Sequence, residues 1–211
     1  MPAIILGAYG LVGIIHEMAG LRFWELTRKI TKGLLMPVLL IYYVLAAHQL
    51  LWTAVAAIAL SWLGDLFLIR KDEPRFFRLG MVAFLLGHVF YLVALVMMTT
   101  GVHVPSLIAS ICVALAAEFF LPRLINPPKQ LRGAIIVYGV VILAMSVSAQ
   151  QYMASNPTVG SVLVFVGSIV FVFSDVLMTY LAFGKKPKYF NAITMLPYII
   201  AQGLIVVGLA G

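Results

Sequence analysis

The chain has 211 residues, of which 64% are apolar and 10% are charged, and its mean hydropathy is +1.10. Soluble domains carry about 25% charged residues, so this composition excludes a soluble globular protein and indicates an integral membrane protein. The net charge of +7 lies in short connecting segments, which fits membrane topology and argues against a nucleic-acid partner. The single cysteine, Cys112, lies in an apolar stretch, so we expect a small core residue and no intramolecular disulfide.

Apolar runs between polar breaks predict eight transmembrane helices in an all-α bundle that forms one membrane-embedded domain over residues 1–211. In chain order the expected ranges are 3–21, 33–47, 51–69, 79–98, 104–121, 133–150, 160–183 and 191–210. As one helix, the run 33–69 would be about 55 Å long at 1.5 Å per residue, against about 30 Å of hydrocarbon. This run must therefore fold back as a hairpin near His48 and Gln49.

The basic residues predict the orientation of the bundle. All fourteen Lys and Arg residues follow the first, third, fifth or seventh predicted helix: Arg22, Arg28, Lys29, Lys32, Arg70, Lys71, Arg75, Arg78, Arg123, Lys129, Arg132, Lys185, Lys186 and Lys188. Cytoplasmic loops carry the excess of Lys and Arg, so these four segments are expected in the cytoplasm and both termini on the non-cytoplasmic side. We expect a multi-pass protein of the cell (inner) membrane if the organism is a bacterium.

Two aspartates, Asp65 and Asp175, lie inside long apolar runs without a basic residue beside them in the sequence. A charged side chain in the bilayer centre costs about 3 kcal/mol or more, so such residues are functional candidates. Three roles are open: a structural hydrogen-bonded or paired group, a proton or ion relay, and a catalytic acid or base. Asp65 precedes Arg70 by five residues and is expected near the cytoplasmic surface, whereas Asp175 precedes Lys185 by ten and is expected deeper.

Further polar residues accompany the two aspartates at similar depth. Ser61 shares a helix face with Asp65, and Ser174 precedes Asp175. Both are candidates for contacting substrate, although as small residues they also favour close helix packing. His88 follows Arg78 by ten residues, at the predicted depth of Asp175, and is either a satisfied core group or a partner of the acids. The small-residue-then-Asp pattern on helices three and seven indicates a parallel four-plus-four duplication.

Five more side chains could hold a polar substrate portion. Lys32 is expected at the cytoplasmic start of helix two, either as a topology signal or as a ligand for an anionic lipid headgroup. Hydrogen bonds could come from Tyr91, Tyr138, Tyr198 and Gln202, although bundle packing explains these residues equally well.

A zinc site is not predicted. His16 and Glu17 are expected near the cytoplasmic surface and His48 and His103 at the opposite one, whereas catalytic zinc needs three converging protein ligands.

Four segments together resemble the YhhN family of membrane proteins: TKGLLMP around Lys32, SWLGDLFL around Asp65, FLLGHVFY around His88 and VFSDVLMTY around Asp175. Characterised members of that family are lysoplasmalogenases. The resemblance implies hydrolysis of the vinyl ether bond of a lysoplasmalogen to a fatty aldehyde and glycerophosphoethanolamine or glycerophosphocholine. It also implies a lysophospholipid substrate drawn from the membrane lipid.

This chemistry suits the aspartates, because a neutral acid can protonate the vinyl ether carbon while a carboxylate stabilises the cation and activates water. Asp65, Asp175 and His88 are then the expected catalytic residues, with Asp175 the better candidate for the acid and Asp65 for the ionised, better solvated partner. No metal or organic cofactor is required. The alternative is a proton-coupled transporter of a small molecule or lipid that uses the buried acids as a relay. Against it, no predicted helix is interrupted near its centre, since Pro37 and Pro197 lie nearer helix ends.

Overall fold

The computed structural model describes residues 1–70, 73–125, 129–184 and 187–211, except for the side chains of 121, 122, 124 and 125. Lys71, Lys185 and Lys186, three of the predicted topology signals, lie outside the described residues. Within that part of the chain the fold is all-helical, with α1 Pro2–Arg22, α2 Glu25–Ala46, α3 Trp52–Leu68, α4 Pro74–Met98, α5 Val104–Ile125, α6 Arg132–Ser155, α7 Val159–Phe183 and α8 Phe190–Ala210.

Six of these helices are long and apolar enough to cross a membrane, namely α1, α2, α4, α6, α7 and α8. The remaining two contain shorter apolar stretches, Trp52–Leu68 and Val104–Phe120. The protein is thus a multi-pass helical membrane bundle, and the predicted hairpin is confirmed because α2 and α3 are separate helices joined by residues 47–51. The main error concerns the start of α2, which begins at Glu25 and not near residue 33. The first two turns of α2 are polar, and the prediction relied on apolar runs, so it placed the start of the helix too late.

The early start of α2 changes the position of its proline. Pro37 lies inside α2 near its middle, and Pro197 lies inside α8, yet both helices continue through their prolines. The expectation that Pro37 lies near a helix end is therefore wrong. Cys112, expected in the core, is exposed on α5.

Helix α8 contributes the largest buried share among the long apolar helices and packs against α1, α2 and α7, whereas α5 packs against α6 and α7. The packing repeats between the two halves of the chain. Helices α1 to α4 pack consecutively, as do α5 to α8, and the contact of α4 with α6 has its counterpart in that of α8 with α2. This repetition is what a parallel four-plus-four duplication predicts.

Glycines allow two pairs of helices to approach closely. A Cβ atom on Gly64 would lie 2.6 Å from the Phe84 ring, so the missing side chain lets α4 pack against α3 beside Asp65. Gly160 and Gly208 face each other where α7 meets α8, and a Cβ on either would meet the backbone of the other. Helices α3 and α7, which carry Asp65 and Asp175, are therefore each held close to a neighbouring helix.

The connections α1–α2, α3–α4, α5–α6 and α7–α8 lie at one end of the bundle, because residues beside all four line a common cavity: Arg28, Pro74, Leu131 and Phe190. At the other end, the His48 amide donates to the Ala210 carbonyl at 3.2 Å. The segments that contain the basic residues thus share an end, as predicted. That this end is cytoplasmic stays a prediction from the charges.

Candidate active site

Asp65, on the last turn of α3, is an almost inaccessible carboxylate with two partners. It is 1% exposed, and its Oδ1 lies 3.1 Å from the Lys32 Nζ of α2. The Tyr198 hydroxyl of α8 donates a hydrogen bond to its Oδ2 at 2.8 Å. A buried carboxyl group is tolerated when it is paired and hydrogen-bonded, so this triad links α2, α3 and α8 around the Asp65 side chain.

Two expectations about this pair are wrong. Lys32 is not a surface residue at the start of α2, because the helix begins two turns earlier and turns Lys32 inward, where it is 7% exposed. Its ammonium also lies 3.3 Å from the Met195 sulfur. Asp65 is not the better solvated of the two acids, since it is almost inaccessible whereas Asp175 is only partly buried.

Asp175, in the second half of α7, has a different environment. The Tyr138 hydroxyl of α6 donates to its Oδ2 at 2.5 Å. No ion pair joins Asp175 to a cation among the described residues. Its side chain is only partly buried and lines the cavities described next. Both aspartates thus accept a hydrogen bond from a tyrosine hydroxyl, and they differ in that Asp65 also pairs with a lysine.

A cavity of about 340 Å³ brings both aspartates to one surface. This volume lies within the range of about 300–1,000 Å³ that is typical of small-molecule sites. Six of the residues predicted for the site line it: Lys32, Asp65, Tyr138, Ser174, Asp175 and Tyr198. The cavity reaches the end of the bundle that carries the basic connections, where exposed Pro74 forms part of its wall.

A narrow apolar extension of about 40 Å³ leads away from this cavity between α4, α6 and α7. It shares Asp175 and Tyr138 with the main cavity, and its other lining residues are mostly apolar, including Met81 and Ile135. Asp175 therefore lies where the two spaces meet, whereas Asp65 lines the main cavity alone.

His88 does not contact either aspartate among the interactions of the described residues. Its Nδ1 donates to the Phe84 carbonyl at 2.7 Å, and its ring packs edge to face on Phe171 and Tyr138, with centroid distances of 4.7 and 5.4 Å. The expectation of a direct partnership with the acids is wrong, because equal depth on α4 does not turn the ring toward them. The link to Asp175 runs through the Tyr138 ring.

Ser61, Tyr91 and Gln202 form a separate hydrogen-bonded cluster outside the cavity wall. The Tyr91 hydroxyl donates to the Gln202 Oε1 at 2.8 Å, and the Gln202 Nε2 donates to the Ser61 Oγ at 3.1 Å. Ser61 lies four residues before Asp65, and Gln202 four residues after Tyr198, so the cluster is one turn further from the basic end. These three side chains hydrogen-bond one another and line none of the described cavities. The prediction that they contact substrate therefore has no support in the geometry.

Sequence reasoning missed several polar residues of the cavity wall. Arg28 lies one turn before Lys32 and pairs with Glu25 at 2.6 Å, while Asn191 and Thr194 come from the start of α8. The spacing of four residues between Arg28 and Lys32 is the one signal that could have placed Arg28 on the same face. Across the described ranges, no group of three or more His, Cys, Asp or Glu side chains could hold a metal ion.

Fold and site together define a class: a multi-pass helical membrane protein with two differently partnered aspartates in a cavity near one end of the bundle. The model of the YhhN family matches residues 27–209, which is most of the chain. The chain therefore belongs to the YhhN family. No curated protein and no solved structure matches it.

Proposed function

We propose that the protein hydrolyses the vinyl ether bond of a lysoplasmalogen, releasing a fatty aldehyde and glycerophosphoethanolamine or glycerophosphocholine. The observation that carries the proposal is the pair of aspartates in one cavity, each hydrogen-bonded by a tyrosine and only one of them paired with a lysine. Membership of the YhhN family supports it.

In the proposed reaction, Asp175 donates its proton to the alkenyl carbon that does not bear oxygen. The double bond becomes a C–H bond, and the positive charge moves to the carbon attached to oxygen, as in an oxocarbenium ion. A carboxyl group without a cationic partner in an apolar setting is suited to remain neutral until substrate binds. The Tyr138 hydroxyl can hold the carboxylate that the transfer leaves behind.

Asp65 stabilises the cation and takes the proton of the attacking water, much as paired carboxyl groups do in glycosidases. The water oxygen becomes bonded to the cationic carbon, and the resulting hemiacetal collapses to the aldehyde and the glycerol hydroxyl. Lys32 keeps Asp65 ionised at the start of the cycle. These roles need no metal or organic cofactor.

The substrate is proposed to lie with its headgroup at the basic end of the cavity and its chain in the apolar extension. Arg28 and Lys32 line the former part, and Met81 and Ile135 the latter. The acids then face the junction of headgroup and chain, where a vinyl ether is located. His88 is proposed to orient Tyr138 by ring packing and not to transfer protons itself.

The test uses detergent-purified protein and lysoplasmenylethanolamine, with aldehyde measured by mass spectrometry. The saturated ether analogue is the matched control substrate, because it has no double bond to protonate and must remain intact. In D₂O, a short incubation should place one deuterium on the aldehyde carbon next to the carbonyl. Aldehyde release without any ion gradient supports the enzyme, whereas solute flux in liposomes without aldehyde supports the transporter.

Asp65→Asn and Asp175→Asn should each reduce kcat by about 10²- to 10⁴-fold, the usual contribution of acid or base catalysis. Glu17→Gln is the matched control, since Glu17 is a half-buried carboxyl group on α1 that lines none of the three described cavities. Full aldehyde release by both folded aspartate variants would falsify the mechanism.

A further inference from the structure

A third cavity, of about 50 Å³, lies between α5, α6 and α7 on the far side of Asp175. Glu118 of α5 and Asp175 of α7 both line it, together with Tyr138 and Gly139 of α6. A water molecule needs about 10–15 Å³ of such space, so the cavity can hold more than one. Asp175 thus lines this small cavity as well as the main cavity and its extension.

The missing side chain of Gly139 on α6 makes room for the partly buried Glu118 carboxyl group of α5. A Cβ atom on Gly139 would lie 2.5 Å from the Glu118 Oε2, so any other residue at this position would displace the carboxyl group. The Glu118 Oε1 is buried and makes no hydrogen bond within the described part of the chain. A buried polar atom without a protein partner is usually satisfied by water, for which the cavity has space.

The proposed hydrolysis creates a need that this arrangement meets. Asp175 gives up a proton in each cycle, whereas the proton released by the attacking water goes to Asp65. While product still occupies the cavity between the two acids, a path on another side of Asp175 would let it regain a proton before product leaves.

We propose that Glu118 is a relay residue that returns a proton to Asp175 through water in the small cavity. The Glu118 carboxylic acid donates a proton, by way of water, to the Asp175 carboxylate. Glu118 then takes a proton from water at the basic end of the bundle, near the α5–α6 connection. The proton that Asp65 received leaves to water, so each cycle consumes one water molecule and no net proton. This inference rests on the proposed function.

The experiment separates a single turnover from repeated turnovers. With enzyme in excess, Asp175 begins protonated and needs no relay, so Glu118→Gln should convert bound lysoplasmenylethanolamine at the wild-type rate. With substrate in excess, its kcat should fall about tenfold or more, because reprotonation becomes slow. Formic acid, small enough to enter the cavity, should restore part of that kcat. Glu17→Gln is the control and should match wild type in both regimes.

Gly139→Ala provides a second variant, since its methyl group displaces the Glu118 carboxyl group without removing it. Like Glu118→Gln, it should keep the wild-type rate in a single turnover and show a lower kcat in repeated turnovers. Wild-type kcat in Glu118→Gln, or an equal loss in single and repeated turnovers, overturns the relay while leaving the proposed function intact. Wild-type protein that releases no aldehyde overturns both.

Discussion

Replacing Lys32 with methionine should destabilise the protein strongly, because it removes the cation but leaves the Asp65 carboxylate buried. The carboxylate is 1% exposed and would keep only the hydrogen bond from Tyr198. Breaking a buried ion pair by removing one partner costs about 3–5 kcal/mol. The carboxyl group can instead take up a proton, which for an aspartate with a pKa near 3.9 in water costs about 4 kcal/mol at pH 7. Both routes give a loss of about 4 kcal/mol.

The assay is reversible unfolding by sodium dodecyl sulfate in mixed micelles, followed by tryptophan fluorescence. Trp62 is a suitable reporter, because its indole N–H donates to the Gly33 carbonyl across the α2–α3 contact at 2.9 Å. Below pH 7 the free-energy cost of protonating Asp65 falls. The loss of unfolding free energy in Lys32→Met should therefore shrink by about 1.4 kcal/mol for each pH unit. Stability of the variant relative to wild type is therefore gained as the pH falls toward 5 and lost as it rises.

Two further variants make this prediction strict. Lys32→Met combined with Asp65→Asn should recover most of the lost stability, since no charge is left unpaired. Arg70→Met removes one partner of an exposed ion pair with Glu73 and should cost less than about 1 kcal/mol. The reasoning is refuted if Lys32→Met costs no more than Arg70→Met, or if the double variant is as unstable as the single one.

Two other substitutions test the packing and the acid. Gly64→Ala should lower the free energy of unfolding by about 1–3 kcal/mol, because its methyl group meets the Phe84 ring, and the same unfolding assay measures it. Gly10→Ala, with nothing within 4 Å of the added atom, is the control and should be neutral or slightly stabilising. Tyr138→Phe should lower kcat about tenfold, because the hydrogen bond to Asp175 becomes about 1.5 kcal/mol stronger as the carboxylate forms, and it should lower the free energy of unfolding by about 1 kcal/mol. An unchanged kcat would mean that this hydrogen bond has no part in the chemistry.

The helical bundle could be predicted because hydrophobic length alone identifies membrane-spanning helices. Its boundaries were less accurate where helices extend beyond their apolar part, as at Glu25 and Pro74, the first residues of α2 and α4. Apolarity marks the part of a helix expected in hydrocarbon, whereas backbone hydrogen bonds continue into polar segments. The error matters for function, because it concealed the inward turn of Lys32.

Within the site, residue types and depth could be predicted, but partners could not. Lys32 and Tyr198 are 33 and 133 residues from Asp65, and only the lateral order and rotation of the helices bring them together. Depth alone gave one wrong partner. His88 is predicted at the depth of Asp175, but its ring packs against Phe171 and does not contact the carboxyl group. The sequence did not single out the proposed relay residue Glu118, because acidic residues are common near basic loops.

Because the packing of the two halves is similar, Asp65 and Asp175 occupy corresponding positions in them. Each half has an even number of helices, so both halves run in the same direction and α3 and α7 meet the site from corresponding positions. In each half, the helix before the aspartate supplies a partner, which is Lys32 from α2 in one half and Tyr138 from α6 in the other. The two halves thus place a cation beside one carboxyl group and a phenol beside the other, which gives two chemically identical side chains different roles.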